Sequence, residues 1–360
     1  MAFIQINTPS LTIRAGQRAV AHLRERGGLY PEDVAVIPGA AGGPKGLGIQ
    51  GLDLALFGDW LPRAPRARTL VGASIGSWRF ASACLPDPIA GIKRLGELYT
   101  TQRYAKDVTM QEISQSCVVL LDHLLNGQDK SVLNHPYHHL NIMVVKSLGH
   151  MQKDTKGSLA LGLAAVVANN FLARKRLGKH FERVLLHDPR QTPPLGALTD
   201  FTSHTHTLNT ENLRQALLAS GSIPMVMQAI QHIPGLEPAT YRDGGLLDYH
   251  LDLPYQADGL VLYPHFADRV IPGWFDKSLK WRKACADNMQ DVVLVAPSKE
   301  YLAKLPHQKL PDRTDFKRYM GDDDGRERYW RLAMKESERL GDAFLTLTQD
   351  ARLLDHIQPL

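Results

Sequence analysis

A hydroxyl nucleophile and a group able to take its proton are the first things the residue types offer. Ser74 lies in Gly72-Ala73-Ser74-Ile75-Gly76, directly after the apolar run Thr69 to Val71 and before the helix-compatible stretch SWRFASACL. A serine held on a sharp strand-to-helix turn projects its hydroxyl above a sheet, and glycines on either side let neighbouring backbone approach without a Cβ clash. This is the pattern of an acyl-transfer nucleophile; capping the helix start is the other use of such a serine. Far along the chain, Tyr241-Arg242-Asp243-Gly244-Gly245 sets a carboxylate on a glycine-rich turn. An ionised Asp243 brought to Ser74 by the fold could remove its proton directly.

Acyl transfer also needs donors for the oxyanion that develops on the carbonyl. Gly39-Ala40-Ala41-Gly42-Gly43-Pro44-Lys45-Gly46 follows a predicted strand at Val34 to Ile37 and leads into a predicted helix, GLGIQGLDLALFGDWL. Backbone N–H groups of Gly42 and Gly43 are the expected donors. Pro44 has no N–H to give, while Lys45 is suited to securing the loop or attracting an anionic head group. The overlapping Gly46-Leu47-Gly48-Ile49-Gln50-Gly51 has the glycine spacing of a dinucleotide site, but PRAPRARTLVG beyond it offers arginines where an acidic ribose partner is required.

Positioning these segments takes a sheet with helices around it. Apolar runs at Ile142 to Val145, Val184 to His187, Gly259 to Tyr263 and Asp291 to Val295 read as strands; segments near 89–105, 110–126, 158–178 and 211–219 carry helical spacing. PRQTPPLGALTD reads as a long loop. Residues 298–328 are polar and poorly periodic, and Arg331 to Leu340 and Ala351 to His356 read as helices. The expected division is a catalytic part over 1–290, with a final strand near 291–296, and a C-terminal extension or helical cap over 297–360.

The 360 residues, 44% apolar and 22% charged with a net charge of +5, describe a folded globular chain of mixed surface charge and do not point to a nucleic-acid partner. Three widely spaced cysteines make no disulfide framework or metal knuckle. The clusters His135, His138, His139 and His204, His206 lack nearby ligands of zinc-site spacing, so neither metal nor other cofactor is expected. The opening MAFIQINTPSLTIRAGQRAV has no secretory pattern, and SLALGLAAVVANNFLA is apolar for roughly 12 residues, short of a membrane span. The expected location is cytoplasmic or at a membrane surface, with export lacking a classical signal left open.

Taken in order, the glycine-rich loop, the G-x-S-x-G turn and the Asp-Gly-Gly turn resemble the patatin-like phospholipase family, as does the Ser-Ile-Pro within Ala219-Ser220-Gly221-Ser222-Ile223-Pro224. Ala41 stands where the family's loop often has its first glycine. The resemblance implies a three-layer α/β/α fold with a mainly parallel sheet, and a Ser74–Asp243 dyad in place of a Ser–His–Asp relay. Gly42, Gly43, Lys45 and Gly46 would form the oxyanion loop, Gly72 and Gly76 the nucleophile elbow, and Gly244 and Gly245 the aspartate loop. It implies a lipid or acyl-ester substrate and admits contact with anionic membrane. Two alternatives stay open: a triad through a histidine such as His204, His206 or His250, and a noncatalytic lipid- or protein-binding use of the scaffold. Trp60, Trp78 and Phe80 are candidates for an apolar entrance.

Overall fold

Short β-branched runs alternating with Ala/Leu-rich segments build a layered α/β/α molecule. The computed structural model describes residues 10–349 and 352–360; the first nine residues of the opening segment, and Ala351 of the last expected helix, lie outside them. Ten strands form one sheet: β1 (Leu11–Ala15), β2 (Val34–Gly39), β3 (Arg68–Ala73), β4 (His138–Ser147), β5 (Phe181–His187), β6 (Ser203–Thr207), β7 (Tyr241–Asp243), β8 (Leu260–Pro264), β9 (Val292–Pro297) and β10 (Ile357–Pro359). Their order is β10-β1-β9-β8-β2-β3-β4-β5-β6, with β7 paired to β4 off this path. The centre, from β9 to β4, is parallel, whereas β1 on β9, β5 on β4 and β7 on β4 are antiparallel. The central strands are buried almost throughout, as helices on both faces require.

The register of β4 brings distant segments together. Ala73 at the end of β3 is paired with Met143, and Asp243 at the end of β7 with the next residue, Val144. A strand has two edges, and β5 takes the other one along Asn141 to Ser147. β3 and β7 therefore meet end to end along a single edge of β4, and the residue after Ala73 is Ser74.

The helix Ile75–Ala83 leaves the turn after β3 with every residue buried. It is held to the glycine-loop side by the Arg79 guanidinium, which donates to both Asp53 oxygens at 2.7 and 2.6 Å with both partners buried. The stretch expected as one helix from Gly46 to Leu61 is a 3-10 turn Gly43–Ile49, an α-helix Gln50–Ala55 and a π segment Leu56–Trp60. Beyond the predicted Arg331 to Leu340, the last helix runs from Asp323 to Gln349 and packs on Gln50–Ala55, where Gly51 N–H donates to Ser337 Oγ at 2.8 Å. Its buried stripe through Tyr329, Trp330, Ala333 and Leu340 explains the extra length. Trp60 packs on Phe344 and Phe80 on Phe57, both inside the core. No helix among the described residues is long and apolar enough to cross a membrane.

β2 and the helix start approach each other closely. A Cβ on Gly76 would lie 1.9 Å from Gly39 O, a backbone atom that cannot swing aside. Gly76→Ala is expected to cost about 3 kcal/mol by overpacking. Gly157→Ala, with no atom within 4 Å of the added methyl, is expected to change stability by less than about 1 kcal/mol. Denaturant melts of the two variants check the contrast.

Candidate active site

Ser74 adopts φ 55° and ψ −129°, a conformation that L residues avoid and that is held only where surrounding contacts enforce it. Here Ser74 N–H donates to Ser220 Oγ at 2.8 Å, and Ser220 Oγ in turn donates to Met143 O at 2.7 Å. The following turn closes back on Ser74 O, which accepts from Ser77 Oγ at 2.7 Å. Two residues beyond Ser220, Ser222 O accepts from Asp243 N–H at 3.1 Å. The end of the helix Leu213–Gly221 thus brackets both turns, one through each serine. In the sequence this segment stands out only through the family resemblance, because its bracing role depends on hydrogen bonds with no sequence signature.

Asp243 is buried, and loss of water pushes its carboxyl above the usual carboxylate range. Four groups oppose that rise by favouring the charged form: the Arg313 guanidinium, the Ser74 hydroxyl as hydrogen-bond partner, Gly245 N–H at 2.7 Å from Oδ1, and the Lys277 ammonium. The β4 register thus sets Ser74 and Asp243 on adjoining turns. Among the described residues no hydrogen bond from a histidine reaches either of them. His250 is buried, stacked on Tyr249 and edge-on to His265, its Nδ1 accepting from Ile271 N–H at 3.0 Å. His204 pairs with Glu182 at 2.9 Å on β6, away from the turn.

A cavity of about 200 Å³ opens beside Asp243, lined among others by Gly42, Lys45, Gly245, Trp274, Lys277 and Arg313. Ser74, only 3% exposed, is outside the lining. Trp274 supplies the aromatic wall that Trp60 and Phe80 were candidates for, and Trp78 is spent on a hydrogen bond to Leu217 O at 2.8 Å. Gly42 and Gly43 stand at the start of the 3-10 turn, where leading N–H groups have no carbonyl ahead of them in the helix. Gly46 faces Ile75 and Arg79 rather than the cavity.

The departure at Ala41 has a local reason. Its N–H donates to Tyr249 O at 2.9 Å, and its methyl lies where a Cβ on Gly245 would come within 2.5 Å. The small residue on the first loop and the glycine on the second thus pack the two loops directly against each other.

Three cations converge on the cavity. Lys45 has its ammonium 5.1 Å from the centre of the Phe266 ring, and burial lowers its pKa. Lys277 is exposed as a whole residue, yet its ammonium stands 4.3 Å from the Tyr249 ring centre and 5.2 Å from that of Trp274. Burial of that group, with Lys45 and Arg313 nearby, lowers it to about 7. Arg313 lies against Gly43. The acid at this mouth, Asp312, is engaged by Lys309 at 2.8 Å. Neither Lys277 nor Arg313 carries a sequence signal, since both lie in segments without periodicity.

The model of a family described as patatin-like phospholipase matches residues 54–250 of the chain. That span, over half of the sequence, contains Ser74, Ser220 and Asp243 and begins after the glycine-rich loop. No curated protein matches the chain.

Removing the Ser220 hydroxyl orphans the Ser74 N–H and frees the elbow. Ser220→Ala is expected to destabilise the protein by about 2 kcal/mol and to slow modification of Ser74 by a fluorophosphonate, with the pH midpoint of that reaction unmoved. Labelling at the wild-type rate would remove the bracket from the account.

Proposed function

The chain belongs to the patatin-like phospholipase family, and from that membership we propose that it is a serine acyl-ester hydrolase with Ser74 as nucleophile and Asp243 as base. The observation that carries this reading is the shared edge of β4, which sets a strained serine turn beside a buried carboxylate that the serine hydroxyl stabilises.

In this mechanism Asp243 takes the proton of Ser74 Oγ as the oxygen attacks the ester carbonyl carbon. The carbonyl electron pair moves onto oxygen, where the N–H groups of Gly42 and Gly43 receive it. Collapse of the tetrahedral intermediate breaks the bond to the alcohol oxygen, which takes the proton from Asp243 and leaves. Water then attacks the acyl-serine, giving its proton to Asp243, and the second collapse releases the carboxylic acid and returns the proton to Ser74. Burial suits Asp243 to this work, since a carboxylate with a raised pKa is a stronger base. Arg313 and Lys277 oppose that rise by favouring its ionised form.

The substrate proposed is a phospholipid or other fatty-acyl ester bearing an anionic group, because Lys45, Lys277 and Arg313 outnumber the carboxylates at the cavity. The substrate is met at a lipid surface. Residues 1–290, with β9, act as the catalytic part, and β10 from the C-terminal segment adds the edge strand beside β1. Residues 297–360 act as a cap that delivers Arg313.

A panel of anionic and neutral acyl esters, with products identified by mass, tests the reading. Ser74→Ala is expected to abolish turnover and Asp243→Asn to lower kcat by about a thousandfold, with anionic esters preferred by the native protein. Turnover retained in Asp243→Asn and lost on replacing one histidine would instead support the triad. The base works only when ionised, so kcat/KM falls as pH drops through the Asp243 pKa, and that midpoint lies above the ordinary carboxylate value. Arg313→Gln removes a charge that lowers the pKa, and is expected to move the midpoint further up.

A further inference from the structure

The most apolar stretch of the sequence becomes the helix Lys156–Leu172, and only one of its faces is packed. Leu159, Gly162, Val166 and Asn170 form the buried stripe, at helical spacing. Leu161, Val167, Phe171 and Leu172 are each more than half exposed, and so is Trp281, whose ring meets Phe171 edge-on at 6.1 Å. A contiguous apolar face of this kind is uncommon on a protein surrounded by water on all sides.

Charge surrounds it. Residues 155–181 and 277–286 contain no Asp or Glu. Lys175, Arg176, Lys179, Lys280 and Lys283 are exposed, and none of them is ion-paired among the described residues. The segment carrying Trp281 is also the wall of the cavity, through Trp274 and Lys277. It is fastened to the helix by Asn170 Nδ2 donating to Asp276 Oδ1 at 2.8 Å and Arg282 donating to Asn170 O at 3.0 Å.

We propose that the exposed face of Lys156–Leu172, with Trp281 and its ring of unpaired cations, is a docking surface for an anionic lipid bilayer. Apolar side chains enter the interface and the cations meet the anionic head groups, the two contributions that hold a helix flat on a membrane. A second copy of the chain is the poorer occupant, because pairing two such faces brings like charges together. The docked surface and the cavity share the segment Trp274 to Trp281, so binding places the cavity wall at the membrane. The proposal rests on the lipid-ester reading above, and its test separates the two.

The Ser74→Ala protein, which consumes no lipid, is sedimented with phosphatidylcholine vesicles and with vesicles that also contain phosphatidylserine. Binding is expected only to the anionic vesicles, and Phe171→Ser/Trp281→Ser in the same background is expected to weaken it roughly tenfold. With Ser74 intact, the same double substitution is expected to leave turnover of a short soluble ester unchanged. Equal partition of both proteins, absence of binding to anionic vesicles, or a dimer that the double substitution dissociates would each overturn the proposal. Failure of the hydrolase reading shows separately, as no turnover of the soluble ester while vesicle binding persists.

Discussion

One edge of β4 carries the site. Because β3 ends opposite Met143 and β7 ends opposite Val144, a serine turn and an aspartate turn from distant parts of the chain open at neighbouring positions. A two-residue change in either register would separate them by about 7 Å. The local features serve this meeting. Gly76 lets the helix start approach β2, Arg79 and Asp53 lock that helix to the glycine-loop side, and Ser220 and Ser222 tie both turns to one helix end.

Bringing a carboxylate to this place removes it from water, and the rest of the site answers that cost. Gly245 N–H and the Ser74 hydroxyl are local partners, but the cations come from elsewhere, Lys277 from the excursion between β8 and β9 and Arg313 from the segment after β9. The family match ends at residue 250, so both cations lie in the part of the chain beyond it. The C-terminal region thereby bears on the charge around Asp243 as well as on packing: Arg313 lies against Gly43, and the helix Asp323–Gln349 supports the element that follows the glycine-rich loop. The same cations that favour the ionised form of Asp243 also give the cavity its positive balance.

Much of the fold was legible because its signals are local. β2, β3, β8 and β9 are apolar runs bounded by turn residues, and Ser74 sits where a strand pattern gives way to a helix pattern. β7 was not legible as a strand, since three residues carry no period and its pairing depends on β4. β6, with the sequence SHTHT, is half-exposed at the sheet edge and lacks the apolar run expected of a strand. Gly46 reads as part of the glycine loop yet faces the helix Ile75–Ala83, because the loop has already turned into 3-10 geometry at Gly43. Lys277 and Arg313 lay hidden for a related reason. Long-range electrostatics depends on where a chain returns, and polar segments without periodicity give no indication of that.

Covalent trapping reads the pairing of Ser74 with Asp243 without a lipid substrate. Intact-protein and peptide mass spectrometry after reaction with a fluorophosphonate, followed in time for the native protein and Asp243→Asn, isolates the first chemical step from substrate choice and membrane contact. A single adduct on Ser74 is expected in the native protein, with a rate lower by about a thousandfold in a folded Asp243→Asn variant. An adduct on another residue, or an Asp243→Asn protein that reacts at the native rate, would contradict the pairing.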